Sequence, residues 1–518
     1  MIIDDVRAEH LFNFIERGLL PNLKKLMESG IYSKNCITDF PAVTFPTQQS
    51  ILTGTYTGDY RKELCHGVPL TNWMGRDRAP PILRAYAGKN FQIYKMSKEL
   101  GQNCKTILEM IENGNTLSIA QFINRGADYI FPESKIKLIY YYLLFSFRYR
   151  KRKLIDLIAR ANTITVLQLL KSFEKPKKYF GNKEPPIASS ILFFTSDILC
   201  HMFGYDSRIY KVNLMHIDKV IGLLIKKLDN MGYLEETAIA VISDHGNYKT
   251  SETGNIRSFL THNEFSHYHP RRNRRGNINI SDFGGVGFFN FKGKKNLSLK
   301  HQWARPTIAE LETYGPKRIN LTKALFKIKG THLMYYREDN NTFNKGSIHL
   351  KRKDMKTGKI YNGTVEYRGS GMNFKTLYRS DDNENDIFGY FNDDIASKLM
   401  DNKYHSIQEW MDATYHLNYP MYPDLITRHF KNPRSSDIII STDGTIVYNP
   451  AQKEKKTGYK YTHDIGLRKC VIVPLIIGGS SEIPNKEIPY CKTTDMVPTL
   501  LKIIGQKPHK SVIGESLI

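Results

Sequence analysis

Four short apolar runs end in side chains that can bind a metal ion, and this pattern restricts the fold more than any other feature of the sequence. Continuous apolar runs are typical of buried parallel strands, and in open α/β sheets ligands collect beyond the carboxyl ends of those strands. We therefore expect the polar side chains to meet along one edge of a single sheet. The runs are Ile2-Ile3 before Asp4, SILFFTS before Asp197, AIAVIS before Asp244 and His245, and DIIIS (residues 437–441) upstream of His463.

Helical patterns separate these runs. Residues 11–30, 210–232 and 493–505 carry apolar side chains at helical spacing, and each pattern ends at a glycine. Because strand and helix alternate along the chain, the sequence predicts an α/β fold.

The interval between His245 and His463 is too long for a connection between neighbouring strands, so we expect it to hold an inserted subdomain. Within it, residues 283–293, 330–339 and 346–369 alternate and turn like β-hairpins. The predicted division of the chain is a catalytic core at 1–104, 187–250 and 435–518, a helical basic cap at 105–186 and an inserted α+β subdomain at 251–434.

The chain has the composition of a globular protein, since 41% of its 518 residues are hydrophobic and 24% are charged. Its formal net charge of +24 favours encounters with phosphate-bearing partners, although a generally lysine-rich composition explains the charge equally well. The six cysteines include no C-x-x-C pair, so neither a disulfide scaffold nor a thiolate zinc site is indicated, and a reducing compartment is favoured.

No apolar run reaches the roughly 20 residues that cross a bilayer, and the amino terminus lacks the pattern of a signal peptide. As written, the chain is therefore expected to be cytoplasmic. Export stays open, because the first strand looks cut short and the amino terminus could be truncated.

Two basic segments suggest contacts with anionic partners. The apolar residues 138–147 run into the basic residues 148–153, a pattern that fits either an anionic membrane surface or a packed cap helix. Residues 267–276 contain four arginines and could attract phosphorylated substrates, bind a nucleic-acid backbone or form a solvated loop.

Thr44 lies at the entrance of a predicted helix in the stretch FPAVTFPTQQSILTG (residues 40–54). Pro46 fits the first turn of that helix, and the free N–H groups of a helix start can hold an anion. The position suits a hydroxyl that attacks phosphorus, although a plain N-cap threonine is the alternative. A threonine hydroxyl is a weak nucleophile and needs a base or a metal to activate it.

Two pairs of residues could supply that activation. Asp197 and His201 are four residues apart, so on a helical turn they face the same way and can chelate one ion. Asp244 and His245 follow a strand, where a turn can direct both side chains into one site. Surface decoration is the alternative for the first pair, and a capping turn for the second.

Taken in order, these residues resemble the type I phosphodiesterase/nucleotide pyrophosphatase family of the alkaline phosphatase superfamily. The resemblance covers residues 1–80, 187–250 and 435–518. It implies an alkaline-phosphatase-like α/β sandwich, in which helices flank a central, mostly parallel sheet and cap regions are inserted. It rests on Asp4, the helical pattern at 18–30, Thr44, the HGVP turn at His66, Asp197, His201, Asp244, His245, His463 and the closing helix at 493–505.

In that family two zinc ions flank a threonine nucleophile. The resemblance implies one ion held by Asp4, Asp244, His245 and Thr44, and a second held by Asp197, His201 and His463. Thr44 would attack the phosphorus in line, and water would then release a phospho-threonyl intermediate. Nitrogen and oxygen ligands without cysteine favour Zn²⁺, with Mn²⁺ or Fe as alternatives.

The sequence also departs from the family pattern. Asp5 stands where the family usually has glycine, which makes it a rival ligand to Asp4. Asn72 is the natural candidate for the asparagine that binds the phosphate and assists catalysis, although it lies further from Thr44 than the pattern leads us to expect. Phe45, beside the nucleophile, is a candidate substrate contact.

The predicted function is a metal-dependent phosphodiesterase or nucleotide pyrophosphatase that acts on a phosphate-ester small molecule or a nucleotide. A phosphomonoesterase on the same scaffold is one alternative. An inactive, basic protein that binds nucleic acid or phospholipid headgroups is another. The oligomeric state stays open.

Overall fold

The computed structural model describes residues 1–59, 64–87, 92–133, 151–294, 303–448 and 461–518, leaving aside the side chains of 151–153 and 283. Its strands are β1 Ile2–Ile3, β2 Ile31–Ile37, β3 Asn72–Gly75, β4 Ile82–Ala85, β5 Asn115–Ile119, β6 Tyr129–Phe131, β7 Pro186–Phe193, β8 Ile239–Ile242, β9 Tyr248–Lys249, β10 Glu252–Gly254, β11 Ile278–Phe283, β12 Val286–Phe291, β13 Leu333–Arg337, β14 Lys345–Lys353, β15 Ile360–Arg368, β16 Lys375–Ser380, β17 His405–Ser406, β18 Ile438–Ser441, β19 Ile446–Tyr448, β20 Tyr461–Thr462, β21 Ile472–Gly478, β22 Lys486–Glu487 and β23 Cys491–Lys492.

The α-helices alternate with these strands along the chain. They are α1 Ala8–Glu16, α2 Pro21–Glu28, α3 Thr44–Thr53, α4 Met96–Glu99, α5 Lys151–Glu174, α6 Pro176–Phe180, α7 Thr195–Phe203, α8 Arg208–Asn230, α9 Ile256–His262, α10 Ile308–Glu312, α11 Leu321–Ala324, α12 Ile407–Thr414, α13 Tyr422–Lys431, α14 Arg468–Val471 and α15 Met496–Ile503.

A mostly parallel sheet of nine described strands forms the centre of the fold, in the order β22-β2-β21-β8-β1-β7-β5-β6 with β23 beside β2. Within it, β21 alone runs antiparallel to its described neighbours. The strand β1 pairs in parallel with β7 on one side and β8 on the other. The carboxyl ends of these three strands therefore share one edge, as the apolar runs predict, and the predicted α/β class with flanking helices is confirmed.

The predicted helix at residues 11–30 is two helices, α1 and α2. The chain turns at Gly18, whose φ of 70° favours glycine. It then starts α2 with Pro21 in the first helical turn, where a proline costs no hydrogen bond. Both helices bury an apolar face, and both pack against β21.

The second sheet has eight described strands, all antiparallel, in the order β11-β12-β18-β13-β14-β15-β16-β17. The hairpin of β11 and β12 turns at Gly284, whose φ is 78°, and the hairpin of β14 and β15 pairs over nine residues each. These strands confirm the alternation read at residues 283–293 and 346–369.

Two expectations about the strands are wrong. The run at 437–441 forms β18, but β18 lies between β12 and β13 in the antiparallel sheet and not in the central one. Residues 105–186 are not wholly helical, because β5 and β6 extend the central sheet beyond β7. A short apolar run looks the same in either kind of sheet, so the sequence pattern could not separate them. Apart from these two points, the division of the chain into core and insertions stays a prediction.

The basic segments differ in what the structure describes. The apolar residues 138–147 and the basic residues that follow them lie outside the described residues, up to the start of α5. In residues 267–276 all four arginines are exposed, and the partner of that loop stays a prediction. Among the described residues, no helix is long and apolar enough to cross a membrane.

Candidate active site

Two groups of three side chains meet at the carboxyl edge of the central sheet. In each group, the nitrogen and oxygen atoms that could bind an ion all lie within 4.8 Å of one another. The first group is Asp4, Asp244 and His245, and the second is Asp197, His201 and His463. The structure therefore brings together in these groups six of the seven predicted ligands, all except Thr44, and their role as ligands stays a proposal.

Neighbouring elements deliver these side chains to the same place. Asp4 follows β1, Asp244 and His245 follow β8, and α7, which follows β7, carries Asp197 and His201. On that helix His201 Nε2 lies 3.2 Å from Asp197 Oδ1, as the spacing of four residues predicts. The last histidine, His463, follows β20, which pairs with β9 shortly after His245.

Backbone carbonyls fix the orientation of the histidine rings. His463 Nδ1 lies 2.9 Å from Ala42 O, and His201 Nδ1 lies 3.0 Å from Tyr461 O. In both rings Nε2 faces the carboxylate of Asp197, at 3.2 Å for His201 and 3.8 Å for His463. A histidine held by one nitrogen presents the other to a metal ion in a defined direction.

Thr44 lies beside the first group. Its helix α3 begins at Thr44, after Val43 in an extended conformation, and ends at Gly54 with a left-handed φ of 65°. The predicted helix start and stop are therefore confirmed. Thr44 Oγ1 lies 3.1 Å from His245 Nε2, so the hydroxyl and the first group share one pocket.

The first group contains two carboxylates that are buried together, Asp4 and Asp244. Burial and the charges of Asp244 and Asp197 raise the pKa of Asp4 well above its ordinary value. Asp4 Oδ1 is buried without a hydrogen-bond partner among the described residues. Gln48 Nε2 donates to Asp244 Oδ2 at 2.8 Å and to Asp4 Oδ2 at 3.4 Å. Because buried carboxylates are costly without a nearby cation, these residues fit a divalent ion.

The histidines of the two groups respond to the same burial in different ways. Burial lowers the pKa of His201, but the charge and hydrogen bond of Asp197, with smaller contributions from Asp5 and the Tyr461 carbonyl, together raise it to about 9. The pKa of His245 also rises to about 9, because Asp244, Asp5 and Asp197 together outweigh burial. Burial and the nearby histidines, with His245 first, lower the pKa of His463 well below its ordinary value. The donor set of carboxylates and imidazoles is the one that zinc and related divalent ions accept.

Asp5 lies on the other side of the His245 ring from Thr44. Asp5 Oδ1 is 3.7 Å from His245 Nδ1 and accepts a hydrogen bond from Asn247 Nδ2 at 2.7 Å. Asp4 Oδ1, in contrast, is 3.5 Å from His245 Nε2, the nitrogen that faces Thr44. Asp5 belongs to neither ligand group among the described residues, so the geometry favours Asp4 over its rival.

Phe45 is the residue after Thr44 in α3, and Asn72 is the first residue of β3. Phe45 is buried, and its ring meets those of Tyr86 and Phe122 edge to face at centroid distances of 5.8 and 5.2 Å. Asn72 is half-buried at the start of β3, one residue before Trp73, whose ring contacts Tyr86. Among the described residues, no hydrogen bond joins the Asn72 side chain to Thr44. The roles of Phe45 and Asn72 stay predictions.

The sequence reasoning missed Gln48. This residue lies one helical turn after Thr44 on α3, and its side-chain amide bridges Asp4 and Asp244. The spacing of four residues from Thr44 was the available signal, but a glutamine in a helix carries no metal-binding pattern of its own.

A buried network that holds α3 also went unpredicted. Ser50 Oγ donates to Asp39 Oδ2 at 2.9 Å and lies 3.1 Å from His66 Nε2, and all three side chains are fully buried. This network ties the helix of Thr44 to the HGVP turn.

Comparisons with known proteins found a family model and several relatives that match this chain. The sequence model of the type I phosphodiesterase / nucleotide pyrophosphatase family matches residues 1–314. An uncharacterized pyrophosphatase/phosphodiesterase of Schizosaccharomyces pombe is 25% identical over 252 residues, which cover 48% of this chain and 44% of that protein. Ectonucleotide pyrophosphatase/phosphodiesterase family member 1 of Rattus norvegicus is 26% identical over 272 residues, 51% of this chain and 25% of the rat protein. The matched part thus spans less than half the length of these relatives.

A solved structure shares the fold across nearly the whole chain. The inactive form of murine ectonucleotide pyrophosphatase/phosphodiesterase 5, in complex with AMP, matches with a TM-score of 0.54 and 13% identity. The match covers 98% of this chain and 94% of that chain. At this identity the likeness shows the fold alone.

Proposed function

This chain belongs to the type I phosphodiesterase/nucleotide pyrophosphatase family, and we propose that it is a metal-dependent phosphoric ester hydrolase with Thr44 as its nucleophile. One observation carries the proposal. Thr44 Oγ1 is 3.1 Å from His245 Nε2, beside two groups of side chains that fit divalent cations.

The two groups would each hold one divalent ion, for which zinc is the favoured identity. Asp4, Asp244 and His245 would bind the first, next to Thr44, and Asp197, His201 and His463 would bind the second. When bound, such ions lower the pKa of a nearby hydroxyl or water and stabilise negative charge on phosphoryl oxygens.

The residues of the chain then perform a two-step displacement at phosphorus. Thr44 Oγ1 loses its proton to solvent and bonds to phosphorus while the bond to the leaving oxygen breaks, which gives a phospho-threonyl intermediate. Water then attacks the same phosphorus, and the bond to Thr44 Oγ1 breaks. The first turn of α3 favours this chemistry, since the free N–H groups of a helix start attract the phosphate.

A nucleotide is the proposed substrate. The solved murine relative carries AMP, and in this chain the half-buried ring of Phe122 packs on Phe45, the residue after Thr44. Aromatic rings stack readily on nucleobases. In this proposal the side chain of Asn72, which lies on the hairpin of β3 and β4, binds an oxygen of the substrate phosphate.

The test is hydrolysis of bis(p-nitrophenyl) phosphate by the wild type and by Thr44→Ala. We expect the substitution to lower turnover at least about a thousandfold, because the attacking atom is removed. Thr53→Ala, at the far end of the same helix, is the matched control and should keep the activity. Unchanged turnover in Thr44→Ala would overturn the proposal.

A parallel assay with p-nitrophenyl phosphate separates a diesterase from a monoesterase. We expect the diester to be the better substrate. No turnover of either ester, together with no bound metal by elemental analysis, would leave the chain as a binding protein.

A further inference from the structure

A cleft of about 730 Å³ lies where α1 and β2 face the ends of β13 and β18 in the second sheet. No proposed metal ligand lines it, and neither does Thr44. Its volume falls in the range of about 300 to 1,000 Å³ that is usual for small-molecule sites. The cleft is therefore large enough for a ligand of its own.

Positive charge dominates the wall of the cleft. Four cationic side chains line it, against the two anionic side chains of Glu9 and Asp443. Glu9 pairs with Arg7 at 2.8 Å, and Asp443 accepts hydrogen bonds from Thr445 N at 2.9 Å and Thr445 Oγ1 at 2.6 Å. The remaining cationic side chains are Arg468, Lys469 and Lys34, of which Lys34 pairs with Glu16 at 3.1 Å.

Arg468 and Lys469 have no anionic partner among the described residues. Arg468 donates to two neutral acceptors, the carbonyl of Tyr415 and Asn35 Oδ1. Lys469 Nζ lies 5.2 Å from the centroid of the Tyr248 ring. Burial lowers the pKa of Arg468, and the charges of Tyr415 and Glu9 offset that shift only in part. Half-buried cations without counter-charges favour the binding of an anion.

The rest of the wall mixes polar and apolar side chains, and Asn35, His332 and Asn418 are the polar ones. The buried rings of Phe12 and Tyr419 line the cleft together with Ile472. A ligand that fills this space would therefore place an anionic group on the basic wall and an apolar or aromatic group on the other.

We propose that this cleft binds a small organic phosphate. The phosphate is held by Arg468 and Lys469, with Lys34 nearby, and the apolar moiety packs on Phe12 and Tyr419. Binding there does not depend on hydrolysis at Thr44.

The cleft also adjoins the loop of the first ligand group. Gly246 N, next to His245, donates to Cys470 O at 2.7 Å. A Cβ atom added at Gly246 would lie 2.4 Å from Lys469 O and 2.9 Å from Arg7 Cγ. A ligand in the cleft would therefore contact residues that pack directly behind His245.

The test is photolabelling of the full chain with an azido derivative of AMP, followed by peptide mapping. We expect labelled peptides from the cleft, near Phe12 or Tyr419, in addition to any label near Thr44. Excess AMP should suppress the cleft label, whereas equal concentrations of adenosine or inorganic phosphate should not. Label found only near Thr44, or suppression by phosphate as strong as by AMP, would overturn the proposal.

Variants separate the cleft from the catalytic groups. The double variant Lys34→Gln/Lys469→Gln should weaken labelling of the cleft about tenfold, since two charge-assisted contacts are lost. Lys34→Arg/Lys469→Arg should keep it, and Lys24→Gln/Lys486→Gln, on exposed lysines outside the cleft, is the matched control. Equal labelling of the Gln variant and the wild type would refute the site.

Ester hydrolysis by the same Gln variant should match the wild type, because neither lysine is proposed to act in catalysis. A failure of the hydrolase proposal would leave the labelling result unaffected, so the two proposals fail separately.

Discussion

The imidazole rings of His245 and His463 are stacked, with their centroids 3.9 Å apart and their planes inclined by 20°. His245 belongs to the first ligand group and His463 to the second, so this contact joins the two groups into one centre. Carbonyl oxygens anchor both rings on the far side, Gly246 O for His245 at 3.2 Å and Ala42 O for His463 at 2.9 Å. A change in either ring should therefore disturb both ion sites.

Replacing Asp4 should remove one metal ion, whereas replacing Asp5 should not. Asp4 faces the Nε2 side of His245, and its Oδ1 has no hydrogen-bond partner in the described part of the chain. Asp5, in contrast, accepts a hydrogen bond from Asn247 and lies on the Nδ1 side. We expect Asp4→Asn to bind one zinc equivalent fewer, and Asp5→Asn to keep the wild-type number with weaker affinity. Equilibrium dialysis with elemental analysis measures this, and the opposite order would assign the ligand to Asp5.

Metal binding should release protons from His201 and His245. In the metal-free protein, burial lowers both pKa values, but Asp197 and Asp244 raise them to about 9, above the usual 6.5. Both rings are therefore protonated at neutral pH, and an ion that binds Nε2 must displace those protons. Zinc affinity should increase as the pH rises toward 9.

Calorimetry of zinc binding in buffers of different ionisation enthalpy should show one proton released from each ring. A buffer-independent enthalpy would contradict this.

Without metal, the two protonated rings stabilise the fold fully below about pH 6.5, and this contribution is lost as the pH rises through about 9.

Gln48→Ala should lower metal affinity about ten- to a hundredfold, because the amide that orients Asp4 and Asp244 is removed. Gln49→Ala is the matched control. Gln49 is the next residue of α3 and is also buried, but its side-chain amide has no hydrogen-bond partner among the described residues. The zinc affinities of both variants are measured by titration with zinc in the presence of a competing chelator. Equal affinities would show that Gln48 only fills space.

Asp218→Ala should destabilise the fold by about 2 kcal/mol. Its carboxylate on α8 accepts hydrogen bonds from Asn22 N at 3.1 Å and Leu23 N at 2.8 Å, and so caps α2 in place of a side chain from α2 itself. Asp229→Ala, at the exposed end of the same helix, should stay within about 0.5 kcal/mol of the wild type. Denaturant unfolding measures both, and equal midpoints would rule out the capping role.

The sequence predicted the meeting of the ligand groups because metal-binding residues follow strands whose carboxyl ends share one edge. Asp4, Asp197 and Asp244 illustrate this, since β1 pairs with both β7 and β8. Thr44 was found for a similar reason, because Pro46 and Gly54 mark both ends of its helix. These signals are local in the chain, so they can be read without coordinates.

The remaining features depend on contacts between distant segments. The sequence assigned β18 to the wrong sheet because its pairing partners, β12 and β13, lie far from it along the chain. Gln48 could not be recognised because its partners, Asp4 and Asp244, come from two other strand ends. The cleft joins Lys34 to Arg468 and Lys469, and no periodicity relates these positions.

The position of β18 also limits how this molecule can be engineered. Both neighbours of β18, the strands β12 and β13, come from residues 251–434, and the chain after β18 leads to His463. Deleting residues 251–434 to obtain a smaller enzyme would leave β18 without a hydrogen-bonded neighbour on either side. An exposed apolar strand of this kind promotes aggregation. A shortened variant that stays active would therefore need a redesigned β18 in addition to the deletion of the insertion.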